Sequence, residues 1–82
     1  MGLTVKLSWY DKKTECIVED ERSEDFRDNV TIVEALNLST KHDVNNGCFD
    51  VGREWLANLQ PLFVHRIDLN KFDYQVSFNY RR

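Results

Sequence analysis

The sequence contains few of the residues that mark disulfide-rich, phosphate-binding or membrane proteins. Its 82 residues include two cysteines, three glycines and one proline. Two cysteines are too few for the disulfide framework of a small secreted protein, and three scattered glycines do not form a phosphate-binding loop. No apolar run approaches the ~20 residues of a membrane-spanning helix, and no basic-then-apolar leader opens the chain. We therefore expect a cytosolic protein with no membrane partner.

Residues for catalysis or metal binding are also sparse. The two histidines, His42 and His65, stand in no recognisable nucleophile motif, so we predict no catalytic residue and no enzyme activity. We interpret His65 as a packing or hydrogen-bonding residue. A zinc site built from both histidines with Cys16 and Cys48 would lack a close-spaced pair of ligands. We predict no metal site and no cofactor.

The chain does have ten aromatic residues and an uneven distribution of charge. The rings can supply the core of a single domain spanning residues 1–82, which is all that a chain of this length can form. The net charge is −3, and eight acids stand against four bases between Asp11 and Asp28. Such a segment repels phosphate backbones, so we expect no direct binding of nucleic acid and favour a cationic protein surface as partner. From charge alone, a merely solvated acidic face is the commoner explanation.

Two stretches at the ends of the chain alternate between apolar and polar residues, as half-buried strands do. The predicted inward face carries Leu3, Val5, Leu7, Trp9, Tyr74, Val76 and Phe78. A polar turn after the first strand leads to a returning strand from Thr14 to Glu19. The Asn45–Asn46–Gly47 turn signal precedes a third strand from Cys48 to about Leu56. A further short strand is predicted from Leu62 to Ile67.

One short helix is predicted after a charged loop that spans Glu21 to Asp28. The pattern Thr31-x-x-Glu34 is typical of a capping box and precedes apolar residues, which indicates a helix from about Val30 to Leu36. Alternating strands joined by short turns indicate an α+β fold: a single small domain with an antiparallel sheet of four or five strands and one short α-helix packed on one face.

The outward face of this sheet is predicted to combine acids with a few apolar residues, which is the composition of a binding surface. The residues expected there are Tyr10, Glu15, Ile17, Glu19, Cys48, Asp50, Asp73 and Gln75. Two of these positions have alternatives. Cys48 is either a small core residue or an exposed contact at the start of a strand. Ile17 is either buried from both sides or an exposed apolar contact.

Motifs spread along the chain resemble the cloacin immunity family, whose members protect bacteria that produce cloacin or ribonuclease-type E-group colicins. The resemblance extends from residue 1 to about residue 81. Its most specific parts are NNGCFDV at residues 45–51 and VSFxYR at residues 76–81. It is supported by MGL at 1–3, LxWYDK at 7–12, EW at 54–55, LQP at 59–61 and HxID at 65–68.

The resemblance implies an antiparallel sheet whose open face binds a strongly basic cytotoxic ribonuclease domain, which cuts 16S ribosomal RNA in the decoding site. Such a protein sits beside the catalytic groove of the toxin and blocks access to the ribosome. It implies a 1:1 complex with the cognate toxin domain and a free protein that is a monomer or a weak dimer. The expected location is the cytosol of the producing bacterium, and release in complex with the toxin stays open.

Family contacts carried over by position fall on Tyr10, Ile17, Cys48 and Gln75, and Cys48 matches the position linked to toxin choice. Relatives can carry an aromatic residue where this chain has Ile17 and Gln75, which leaves the identity of the cognate toxin open. The predicted toxin-binding set is completed by Asp11, Glu15, Glu19, Phe49, Asp50 and Asp73.

Two other functions compete with inhibition of a toxin. A small ribonuclease or RNA-binding protein is disfavoured by the acidic segment and by the lack of a paired His–Glu site. A structural module that oligomerises through an exposed sheet edge is the other alternative.

Overall fold

The computed structural model describes residues 2–81, which form a four-stranded antiparallel sheet with short helical segments on one face. The strands are β1 (Leu3–Asp11), β2 (Ile17–Arg22), β3 (Phe49–Asp50) and β4 (Phe72–Tyr80), and their order in the sheet is β2-β1-β4-β3. The helices are α1 (Thr31–Ala35) and α2 (Leu56–Leu59), and 3-10 turns over Arg53–Trp55 and Gln60–Leu62 flank α2. The predicted α+β class and the four-stranded antiparallel sheet are confirmed.

The centre of the sheet is the antiparallel pair β1 and β4. Their register runs without a shift from Leu3 opposite Tyr80 to Asp11 opposite Phe72. Residues directly opposite each other share a face, so the two alternating patterns bury their apolar residues on the same side. All seven residues predicted for the inward face are buried there: Leu3, Val5, Leu7, Trp9, Tyr74, Val76 and Phe78.

A layer of helices and loops covers this face. Val33 and Leu36 come from α1 and its end, and the segment between β3 and β4 adds Val51, Leu59, Phe63 and Ile67. Helix α1 has only five residues, which is too short to be stable without packing. The buried Val33 side chain supplies that packing, and the predicted position of the helix is confirmed.

The predicted capping box at the start of α1 is wrong. The N-cap residue is Val30, and its side chain makes no capping hydrogen bond to the start of the helix. The backbone N–H and the hydroxyl of Thr31 both donate to the Asn29 side-chain oxygen instead. An Asn side chain two residues before a free N–H makes this local bond readily, so it competes with the capping box.

Strand β2 begins three residues later than the predicted Thr14–Glu19, because the turn after β1 is longer than the sequence suggests. One Asp11 carboxylate oxygen accepts hydrogen bonds from the backbone N–H groups of Lys13, at 2.7 Å, and Thr14, at 3.0 Å. Glu15 then takes a positive φ of 60°. The Asp11 N–H donates to the Cys16 carbonyl oxygen at 3.0 Å, and the paired strand starts at the next residue, Ile17, opposite Tyr10.

The predicted strand from Cys48 to Leu56 is reduced to two residues, Phe49 and Asp50. The turn before it is confirmed, since Asn45 and Gly47 have φ values of 59° and 80°. After β3 the chain leaves the sheet and coils into α2, which places Leu59 in the core. The sheet therefore narrows to a short edge on this side.

The predicted strand from Leu62 to Ile67 is absent from the described residues, because side chains hold this segment as a loop. The Gln60 amide donates to the His65 carbonyl oxygen at 2.8 Å and accepts from the Ile67 N–H at 2.8 Å. His65 Nε2 lies 2.7 Å from the Tyr74 hydroxyl. The interpretation of His65 as a packing and hydrogen-bonding residue is confirmed.

Candidate functional site

The face of the sheet opposite the core is open. Cross-strand register places Tyr10 between Ile17 of β2 and Asp73 of β4, and Gln75 between Ser8 of β1 and Asp50 of β3. Each of the side chains on this face is partly or fully exposed. They are Thr4, Lys6, Ser8, Tyr10, Ile17, Asp20, Arg22, Asp50, Asp73, Gln75, Ser77 and Asn79. The residues of α1 and α2 that are buried belong to the core on the other side.

One end of the open face is concave. Five of the predicted binding residues line a depression of about 580 Å³, which we call the Tyr10 groove: Tyr10, Glu15, Asp50, Asp73 and Gln75. Val51, Leu69, Phe72 and Tyr74 complete its lining. The groove forms where β1 and β3 end and the antiparallel strand β4 begins, while the turn after β1 supplies Glu15. Residues far apart in sequence are therefore brought to one place.

The Tyr10 groove is rich in negative charge. Three of its five defining residues are carboxylates, and Lys12 Nζ pairs with the Asp73 carboxylate at 2.8 Å. The Gln75 amide donates to Asp50 Oδ1 at 3.3 Å, so these two neighbours support each other on the open face. Glu15 and Asp50 are both exposed. An arrangement of several carboxylates at a concave site attracts cationic groups of a partner.

The opposite end of the open face has a different charge. Lys6 and Arg22 lie opposite each other across β1 and β2. Lys6 Nζ lies 3.7 Å from the Asp20 carboxylate, which reduces the negative charge there. The predicted outward face of acids with apolar contacts is therefore acidic mainly at the Tyr10 end.

The sequence model of one protein family, described as cloacin immunity protein, matches residues 2–81. The chain belongs to the cloacin immunity family. The resemblance seen in the sequence motifs is thereby confirmed over nearly the whole chain. Membership supports a role in bacteriocin immunity. It implies that the protein binds a cognate cloacin or colicin toxin and acts as an inhibitor rather than as an enzyme.

The structure decides between the alternatives that the sequence leaves open for Ile17 and for Cys48. Ile17 has 54% of its surface exposed, so it is an exposed apolar residue of the open face. Cys48 is exposed and is a free thiol just before β3. Both positions are accessible to a partner.

Glu19, Phe49 and Asp11 also belong to the predicted toxin-binding set, but they lie away from the open face. Glu19 is opposite Trp9, whose ring is in the core, so register places Glu19 on the covered side. The prediction that Glu19 faces outward is wrong, because the register shift at Trp9 and Tyr10 moves β2 by one residue. Phe49 also turns inward and packs against Trp55 and Phe78, with ring centroids 6.5 Å and 6.2 Å away.

Asp11 belongs to the turn after β1. The backbone N–H groups of Thr14 and Lys13 hold the pKa of the Asp11 carboxyl below its usual value. The two hydrogen bonds of the Asp11 carboxylate stabilise the turn. Because Glu15 belongs to this turn, they also hold Glu15 at the rim of the Tyr10 groove.

Sequence reasoning missed two features of the β2 side. Both carboxylate oxygens of Glu21 accept backbone hydrogen bonds, from the N–H of Val64 at 2.8 Å and from that of His65 at 3.0 Å. No local sequence pattern links residues this far apart, and the sequence predicts Glu21 only as one acid of a charged loop.

Val64 is 95% exposed and Val18 is 51% exposed. The sequence predicts Val64 as an interior residue of the strand from Leu62 to Ile67, because it follows Phe63 in an apolar run.

Within residues 2–81, no group of three or more His, Cys, Asp or Glu side chains is arranged to hold a metal ion. None of the helices in this range has the length and apolar character to cross a membrane.

Proposed function

We propose that this protein binds the basic cytotoxic ribonuclease domain of its cognate toxin through the open face of the sheet. The domain, which cleaves 16S ribosomal RNA, is thereby kept from the ribosome. The observation that carries this proposal is the Tyr10 groove, where five predicted contact residues meet with three carboxylates among them. One copy of the protein binds one toxin domain, and the complex protects the ribosomes in the cytosol of the producing cell.

Electrostatic attraction accounts for fast capture of the toxin. Carboxylates at the rim of a groove steer a cationic partner, and steered association reaches ~10⁸–10⁹ M⁻¹s⁻¹ at low salt. Glu15 and Asp50 are placed to do this at the Tyr10 end. The charge difference between this end and the end with Lys6 and Arg22 also favours one orientation of the bound domain.

Apolar contacts account for slow release. Dissociation sets most differences in affinity between related complexes, and buried aromatic or aliphatic side chains contribute most to it. Tyr10 offers a partly exposed ring beside Ile17. Cys48 lies two residues before Asp50 of the groove, where its small side chain admits a toxin residue that a larger one would exclude.

Mixing the purified protein with the ribonuclease domain encoded in the same operon tests the proposal. We expect calorimetry to give one binding site per domain and stopped-flow association to slow markedly as salt is raised. Ribosomes added to the complex should keep their 16S RNA intact. A domain that shows no binding at micromolar concentration would overturn the proposal.

A second assay separates blocked access from a filled catalytic centre. If the protein sits beside the catalytic groove, the complex still cleaves a short RNA oligonucleotide while ribosomes are protected. Loss of both activities would show that the catalytic centre itself is covered.

The protein alone, incubated with ribosomes, tests the competing ribonuclease function, which predicts cleavage without toxin. Light scattering of the free protein tests the competing oligomeric module.

A further inference from the structure

Large exposed hydrophobic side chains lie on the edge strand β2 and on the loop whose backbone bonds to Glu21 of β2. Among residues 2–81, three large hydrophobic residues are exposed: Ile17 at 54%, Val18 at 51% and Val64 at 95%. Ile17 and Val18 belong to β2, which is an edge strand. Single exposed hydrophobics are ordinary, but a local group of them marks a contact surface. We call these three residues the β2 edge surface.

Val64 belongs to this edge because its loop is fixed to β2. The Glu21 carboxylate accepts the N–H groups of Val64 and His65, and the His65 ring stacks on Trp9 at 3.8 Å. Trp9 is on the covered face, so the loop lies beside β2 on that side. Ile17 is opposite Tyr10 on the open face. The β2 edge surface therefore passes from the open face to the covered side.

The backbone that carries Val64 is held in place before any partner arrives. Gln60 bonds to the carbonyl oxygen of His65 and to the N–H of Ile67, at 2.8 Å each. Together with the Glu21 bonds, these contacts fix the backbone at Val64, His65 and Ile67. An apolar side chain on a preorganised loop loses little conformational entropy on binding, so its burial contributes more fully to affinity.

The charges around this surface decide which partner fits. Five acids and one base stand between Ile17 and Asp25, and Glu19, Asp20 and Glu24 are exposed. A second copy of the chain that paired along β2 would bring these acids together. The register shift between Trp9 and Tyr10 leaves Val18 as a bulge in β2, which also disfavours pairing with another strand. Apolar residues with an acidic rim fit a basic protein surface with an apolar centre.

We infer that the basic toxin domain extends over the β2 edge and buries Val18 and Val64, in addition to the open face. The inference rests on the proposed function, because it assigns both surfaces to one partner. The β2 edge surface is continuous with the open face through Ile17, so a single domain contacts both. Val18 and Val64 act mainly on dissociation, since they carry no charge.

Dissociation kinetics of the toxin domain test this inference. Val18→Ala and Val64→Ala each remove two methyl groups, and we expect each to raise the dissociation rate about fivefold to tenfold with little change in association rate. Thr40→Ala is the matched control, since it shortens an exposed side chain of similar size away from β2. Unfolding curves should be unchanged for all three, because the side chains are exposed.

Hydrogen exchange on the unmodified protein gives a second readout. We expect bound toxin domain to slow amide exchange at residues 17–20 and around residue 64. If the wild-type protein binds but both valine variants dissociate at the wild-type rate, and the β2 amides stay unprotected, the inference is wrong and the proposed function stands. If the wild-type protein does not bind the domain, both are wrong.

Discussion

The imidazole of His65 lies flat on the indole of Trp9, with 3.8 Å between the ring centroids and 11° between the ring planes. The Tyr74 hydroxyl completes this contact, since it is 2.7 Å from His65 Nε2 and accepts the Asp68 N–H at 3.0 Å. Burial raises the pKa of the Tyr74 hydroxyl. The three rings join β1, β4 and the loop around residue 65, so they close the covered face of the sheet beside β2.

Replacing His65 should destabilise the fold. His65→Ala removes a ring stack worth about 0.5–1.5 kcal/mol and a hydrogen bond of about 0.5–1.5 kcal/mol. We expect the free energy of unfolding to fall by about 1–3 kcal/mol, measured by urea denaturation. His42→Ala is the control, because His42 is exposed, and it should change stability by less than about 0.5 kcal/mol. Equal effects of the two variants would contradict this role of His65.

Replacing Glu21 should loosen the loop that carries Val64. The Glu21→Gln variant retains one acceptor oxygen where the carboxylate has two, so one of the two backbone N–H groups loses its partner. Hydrogen bonds to charged groups are the stronger kind, and we expect a loss of about 1–2 kcal/mol in urea denaturation. Glu24→Gln makes the same chemical change at an exposed site. Equal stability of both variants would show that the Glu21 contacts contribute nothing.

The turn after β1 should respond to acid through Asp11. The folded pKa of Asp11 is lowered by its bonds to the Thr14 and Lys13 N–H groups. Its contribution to stability is therefore complete above the usual aspartate pKa and disappears as pH falls through the lower folded value. We expect the Asp11 carboxyl to titrate in NMR at a lower pH than in the urea-unfolded chain. An equal or higher midpoint in the folded protein would contradict the assigned hydrogen bonds.

A bulky residue at position 48 should alter toxin choice with little effect on stability. Cys48 is exposed, so Cys48→Trp creates no overpacking in the core, which would cost about 1–3 kcal/mol. We expect an unchanged unfolding midpoint, together with altered relative affinities for a panel of related toxin domains. A large loss of stability with unchanged relative affinities would mean that residue 48 packs inward.

Charges in the Tyr10 groove should set the association rate. Glu15→Gln and Asp50→Asn each remove one negative charge near the proposed contact, so we expect slower association at low salt and little change in dissociation. Lys12→Gln should do the opposite, because Lys12 neutralises Asp73. Glu34→Gln on α1 is the control, with the same change in net charge far from the groove. Equal slowing by Glu34→Gln would mean that net charge alone matters.

The sequence by itself determined the two central strands, their inward residues and the family. Alternation with period two assigns each residue of β1 and β4 to a face, whatever the rest of the chain does. That rule also placed Tyr10, Asp73 and Gln75 correctly on the open face. The helix near residue 33 was predictable from its local apolar pattern, although its capping was not.

Only the tertiary structure decided the parts that depend on contacts between distant residues. The register shift in β2 put Ile17 on the open face and Glu19 on the covered side, and a bulge leaves no clear local signal. Glu21 holds a loop more than forty residues away, at Val64 and His65. The strand predicted over residues 62–67 became this loop, because side-chain bonds satisfied its backbone groups in place of a neighbouring strand.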